Sequence, residues 1–177
     1  SPRAAFEIAA EIAGALRVAY ETPGPDGRPL KLLHRDIKLS NIQVSRSGEV
    51  KLLDFGVAQA DFDGRESETV GLIMGTLRYM APERLDGLDS PAGDIYALGV
   101  TLVEMLTARP FRKTSASRER HKETIRGAVE QLGPALAAYA PLIESLLAYE
   151  PKNRPPASVL ADLLSSFAAK QSSPRLV

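Results

Sequence analysis

The sequence predicts a mainly α-helical domain that carries one small β-hairpin. Three observations lead there. Apolar residues recur at helical spacing in three stretches, 8–20, 95–106 and 160–167. Only two short runs of β-type residues stand between them, at 42–44 and 50–53, with turn-forming residues at 45–48. The hydrophobic fraction, 44% of 177 residues, is enough for the core of one domain.

Each element has its own signal. Ser1-Pro2 is a helix start, with Pro at the first helical position. Ile8, Ile12, Leu16 and Tyr20 then line one face, with Ala5, Ala9 and Ala19 beside them. TPGPDGRP, residues 22–29, ends that helix and reads as a surface excursion. The two short strands form a hairpin with Asn41 at one end and Asp54 at the other. Residues 57–80 hold no sustained period and read as a long loop, which in a compact domain is usually functional. After Ser90-Pro91 comes a helix with Ile95, Leu98, Leu102, Val103 and Leu106, buried on most sides because few charges interrupt it. A polar segment, 112–123, follows, and His121 within it reads as solvated surface. Two further helices are expected near 134–148 and 156–168, the second from Leu160, Leu163, Leu164 and Phe167.

Composition excludes several function classes. Twenty-two basic and 22 acidic residues balance to zero, against nonspecific nucleic-acid binding and against a polybasic membrane patch. Absence of cysteine removes disulfides and thiolate metal sites, and two histidines cannot form a metal-binding cluster. No apolar run approaches the ~20 residues of a membrane span, and no signal-peptide pattern opens the chain. A cytoplasmic location is the expectation, with room for an anchor elsewhere in a longer parent.

The chemistry concentrates in HRDIKLSN, residues 34–41, which sets His34, Arg35, Asp36, Lys38 and Asn41 in one window. DFG follows at 54–56 and APE at 81–83. Singly, Asp36 reads as a solvated loop carboxylate and Asn41 or Asp54 as a turn residue. Together and in this order the motifs resemble the eukaryotic-type protein kinases, over roughly residues 4–168. The resemblance implies the C-terminal, large lobe of the α+β protein kinase fold over 1–170. Its catalytic loop would be 34–41, its activation segment 54–83, and 171–177 a flexible tail. The glycine-rich loop, the V-A-I-K lysine and the helix glutamate of the smaller, N-terminal lobe do not occur in this chain. DIYALG and the lack of tryptophan hint at a bacterial member.

The implied reaction moves the γ-phosphoryl of ATP, with Mg²⁺, to a Ser or Thr hydroxyl of a protein substrate. Asp36 would orient the hydroxyl and accept its proton, and Lys38 would offset charge developing in transfer, a Ser/Thr-type feature. Thr76 would hydrogen-bond toward both. Asn41 and Asp54 would hold Mg²⁺ with hard oxygen ligands. Lys38, Asn41, Gln43 and Asp54 would line the nucleotide site, Gln43 standing where relatives place an apolar floor under adenine. Phe55 would pack beneath His34. Arg35 would pair with a phosphorylated Ser67 or Thr69, Thr69 ahead of Ser67. Glu83 would form a buried ion pair with Arg154, and Asp94 would accept hydrogen bonds from the catalytic-loop backbone.

The resulting expectation is a protein serine/threonine kinase represented by its large lobe, weakly active or inactive in isolation. The N-terminal lobe would be supplied in cis or in trans. The alternative is a catalytically silent, kinase-derived binding module. Intact Asp36, Lys38, Asn41 and Asp54 favour the first reading, because silent relatives tend to lose these groups.

Overall fold

A computed structural model of the chain describes residues 1–55 and 77–171. Helix α1 (Pro2–Glu21) starts where Ser1 accepts the Ala4 N–H on its hydroxyl at 3.3 Å and Pro2 opens the first turn. Its buried stripe is Ala5, Phe6, Ala9, Ala10, Ile12, Ala13 and Leu16, whereas Ile8 and Tyr20 sit at the margin. Alanines in that stripe allow close approach, and the helix packs along α5 (Ala157–Ala169). Phe6 anchors the contact, with its ring centroid 4.7 Å from Tyr139 and 5.9 Å from Phe167.

Helix α2 (Pro91–Thr107) is the centre of the domain. Every residue from 93 to 104 is buried, and α1, α3 (Arg118–Leu132) and α4 (Ala140–Leu146) surround it. Gly99 is where α4 presses closest. A Cβ there would stand 2.8 Å from Leu146 Cβ and 3.0 Å from Leu147 Cδ2.

Strands β1 (Ile42–Val44) and β2 (Val50–Leu52) pair antiparallel, with Ile42 opposite Leu52, Gln43 opposite Lys51 and Val44 opposite Val50. The 22–29 excursion closes on itself through a Pro23–Pro29 bridge and the Gly24 N–H to Arg28 carbonyl bond at 2.7 Å.

Two expectations need correction. The polar segment 112–123 contains the start of α3, and His121 is 3% exposed instead of solvated. The buried stripe of α3 runs His121, Ile125, Ala128, Leu132, so a histidine fills one helical position that a hydrophobic reading scores as polar. The stretch 134–148 is no single α-helix. A 3₁₀ segment (Pro134–Tyr139) precedes α4, and Pro141 in the first turn of α4 has no N–H to continue one ladder across both. Among the described residues no helix is long and apolar enough to cross a membrane.

Candidate active site

The 34–41 window is hung from α2. Asp94, buried in the first turn of that helix, accepts the His34 N–H on Oδ2 and the Arg35 N–H on Oδ1, both at 2.8 Å. Burial pushes its carboxyl above the usual carboxylate range, and the two N–H groups pull the other way without cancelling the effect. Holding two consecutive N–H groups fixes Arg35 in the left-handed region (φ 71°), which a non-glycine residue seldom adopts.

His34 is fully buried and ties three parts of the site together. Its Nδ1 accepts the Asp36 N–H at 3.3 Å, its Nε2 meets the Leu53 carbonyl at 2.8 Å, and its ring lies edge-on to Phe55 with centroids 4.7 Å apart. One Nε2–H tautomer satisfies both polar contacts.

The two oxygens of Asp36 differ. Oδ2 is 2.7 Å from Lys38 Nζ and accepts from Asn41 Nδ2 at 2.9 Å. Oδ1 has no hydrogen-bond partner among the described residues. Asn41 Nδ2 also donates to the Asp36 carbonyl at 2.8 Å, so one amide locks both ends of that residue. Oδ1 is buried, so the carboxylate is held on one oxygen and keeps an uncommitted acceptor on the other.

The hairpin brings the second carboxylate near. The Leu53 N–H donates to the Asn41 carbonyl at 2.8 Å, which sets Asp54 beside Asn41. Asp54 is exposed and left-handed (φ 62°). With Asn41 Nδ2 committed to Asp36, its amide oxygen is the atom that could meet a cation. One amide oxygen and one exposed carboxylate suit Mg²⁺, which takes few protein ligands and completes its shell with phosphate and water. No group of three or more His, Cys, Asp or Glu that could enclose a metal exists among the described residues. Gln43 is exposed on β1. Thr76, Ser67 and Thr69 lie outside the described residues, so this geometry does not extend to them.

Arg154 is the buried anchor of the lower site. It holds Glu83 through Nη1–Oε1 at 2.6 Å and Nη2–Oε2 at 2.8 Å. It also donates to the carbonyls of Ala92 (2.9 Å), Ala148 (2.8 Å) and Tyr149 (3.2 Å), and its guanidinium lies 4.9 Å from the Tyr96 ring centroid.

Several partners escaped the sequence reading. Glu104, buried in α2, accepts from Tyr79 Oη at 2.6 Å and from the Phe111 N–H at 2.8 Å, and Arg78 stands 3.8 Å away. Burial, and then Glu104, push the Tyr79 phenol well above its ordinary range. His121 donates its Nε2–H to the Leu147 carbonyl at 2.8 Å, and burial lowers its basicity. Arg35 meets Asp89, which also holds Arg84. No periodicity or motif marks Asp89, Arg84 or Glu104, because their contacts to Arg35 and to Tyr79 join segments distant in sequence.

The comparisons with known proteins agree with this architecture. The protein kinase domain model matches residues 2–165. Tyrosine-protein kinase MasK of Myxococcus xanthus is 35% identical over 176 residues, which is 93% of this chain and 26% of MasK. Serine/threonine-protein kinase PknA of Mycobacterium tuberculosis is 42% identical over 105 residues, 55% of this chain and 24% of PknA. The chain thus spans about a quarter of the length of these curated relatives. Among solved structures, the Mycobacterium tuberculosis PknI kinase domain superposes with a TM-score of 0.63 at 24% identity, over 94% of this chain and 55% of that kinase-domain chain. Rad53 1–466 in complex with AMP-PNP gives 0.63 at 23% identity, over 93% of this chain and 40% of that one. These two show the shared fold, and the match over residues 2–165 shows that the chain belongs to the protein kinase domain family.

Proposed function

We propose that the chain is the large lobe of a protein kinase that transfers the γ-phosphoryl group of ATP to Ser or Thr hydroxyls. The observation that carries this is Asp36, anchored at Oδ2 by Lys38 and Asn41, with Oδ1 buried and committed to no hydrogen-bond partner among the described residues. As the new bond from substrate oxygen to phosphorus forms and the bond to the ADP oxygen breaks, Asp36 accepts the hydroxyl proton. Lys38 offsets charge on the moving phosphoryl group. Asn41 and Asp54 would hold Mg²⁺, which would supply positive charge to offset that of the nucleotide's phosphates. Gln43 lies under the adenine, and Thr76 helps receive the substrate hydroxyl. Ser67 or Thr69 is the candidate for regulatory phosphorylation.

Ser/Thr specificity rests on Lys38 two residues after Asp36, and PknA carries that description by name. MasK is named a tyrosine kinase, so the acceptor must be tested on both hydroxyl types. Leu53 and Phe55, each about two-fifths exposed, leave apolar surface beside Asp54 and support a covering segment that completes the ATP site in cis or in trans. Without that cover this chain should bind Mg-ATP weakly.

The test is γ-phosphoryl transfer by the full-length protein to Ser-, Thr- and Tyr-containing peptides. Asp36→Asn should lower turnover by about 10³-fold or more while ATP affinity stays. Unchanged turnover in that variant would sink the role of Asp36. Transfer to tyrosine alone would replace the Ser/Thr reading.

A further inference from the structure

We infer that Asp89 is a built-in counter-ion of the catalytic loop, and that Asp89 and Arg84 are positioning residues that hold Arg35 without help from a phosphate. The inference rests on the kinase reading above for its consequence in turnover, but its geometry stands by itself.

Asp89 sits between two guanidinium groups. Its Oδ2 is 2.9 Å from Arg35 Nε and its Oδ1 is 2.8 Å from Arg84 Nε. The contact to Arg35 is an ion pair whose N–H is not directed along it, whereas Arg84 adds a directed bond. Arg84 Nη1 donates to the Arg35 carbonyl at 2.6 Å. Arg35 is therefore gripped at three points. Asp94 takes its N–H, Arg84 takes its carbonyl, and Asp89 takes its side chain. The residue gripped this way holds the left-handed turn immediately before Asp36.

The local sequence is arranged to deliver Asp89 to this place. The 3₁₀ segment Pro82–Asp86 ends at left-handed Gly87 (φ 77°). The Gly87 N–H bonds the Arg84 carbonyl and the Leu88 N–H bonds the Glu83 carbonyl, both at 3.1 Å, which turns the chain back over Arg84. Gly93 gives the Arg84 stem its room, since a Cβ there would come within 3.3 Å of Arg84 Cδ. The side chains of Arg84 and Arg35 are 14% and 23% exposed and that of Asp89 36%, so water screens the guanidinium side of these contacts less than the carboxylate side.

The consequence concerns regulation. Arg35 is the residue that family resemblance pairs with a phosphate on Ser67 or Thr69. Here an aspartate of the same chain already supplies the negative charge, and shares it with Arg84. The catalytic loop is then held in place in the unphosphorylated protein, and phosphorylation is not the event that orders Arg35.

The experiment uses the full-length protein, dephosphorylated with a phosphatase, and reads turnover and amide hydrogen exchange. The wild type should keep its turnover within about twofold after treatment. Asp89→Asn should lower kcat about tenfold, the size expected for one lost charge-assisted contact, with KM for ATP little changed. Asp89→Glu should recover most of that loss. Amide exchange at Arg35 and Asp36 should quicken in Asp89→Asn while α5 stays protected. Loss of most wild-type turnover on dephosphorylation would overturn the inference. Wild-type kcat and wild-type exchange at 35–36 in Asp89→Asn would do the same. If no variant transfers phosphate at all, the kinase reading fails, and the exchange result at 35–36 alone decides whether Asp89 holds the loop.

Discussion

Glu83 and Arg154 meet in a two-point ion pair across 71 residues of chain, with the Arg154 side chain fully buried and Glu83 10% exposed. Glu83 ends the APE motif, and the next residue, Arg84, reaches the opposite way to the Arg35 carbonyl. Two adjacent side chains thus connect the catalytic loop to the segment that leads into α5. Glu83→Gln leaves a buried guanidinium without its counter-charge and should cost about 3–5 kcal/mol. Arg154→Met should cost at least as much, because the carbonyls of Ala92, Ala148 and Tyr149 also lose a donor. Denaturant unfolding of both variants checks this. Losses under about 1 kcal/mol would contradict it.

Asp94 makes a pH-dependent contribution of a definite sign. Its folded carboxyl keeps a proton to higher pH than an unfolded aspartate, because burial outweighs the two N–H bonds. The native state therefore binds more protons than the unfolded state from the ordinary value, about 3.9, up to the raised one. The stability this supplies is fully present below the ordinary value and is lost as pH rises through the raised one. Asp94→Asn should be destabilised by about 1–3 kcal/mol, since an amide cannot accept on both atoms. The gap between wild type and Asp94→Asn should narrow as pH rises through that window. Unfolding free energies measured from acid to neutral pH test the slope.

His121 should act in the other direction. Burial lowers its basicity most, Arg154 and Arg118 lower it further, and the Leu147 carbonyl and Glu83 oppose them. The folded state then binds fewer protons than the unfolded state just below the ordinary histidine value, about 6.5. Its contribution is present above that value and is lost as pH falls through the lowered one. His121→Gln should flatten that part of the stability profile. An unchanged profile in the variant would remove His121 as its source.

Glycine positions give opposite expectations. Gly99→Ala forces a Cβ against Leu146 and Leu147 and should destabilise by about 1–3 kcal/mol. Gly14, inside α1, has nothing within 4 Å of the same added atom. Gly14→Ala should stabilise by about 0.5–1 kcal/mol through the lower entropy of the unfolded chain. Thermal unfolding of the pair separates packing from propensity.

Asp54→Asn in the full-length protein should raise the Mg²⁺ concentration needed for half-maximal turnover by about tenfold or more, since a direct ligand should matter no less than its supporting partners. A metal requirement identical to wild type would show that Asp54 is no ligand.

Local chemistry was enough for the sequence to determine α1, α2, α5 and the hairpin. Proline at helix starts, alanine and leucine at helical spacing and a short β-type pair act within a few residues of themselves. The HRDIKLSN and DFG motifs likewise carry their residue types and order in the chain. Tertiary structure alone decided the rest. Helix α3 stayed hidden because His121 occupies a core position, and it can do so only where the Leu147 carbonyl comes within 2.8 Å. The pairing of Arg35 with Asp89, and of Glu104 with Tyr79 and Phe111, depends on which charges the fold brings together out of water. A carboxylate looks the same in sequence whether it faces solvent or a guanidinium. Burial and distance separate the two cases, and both are properties of the packed molecule.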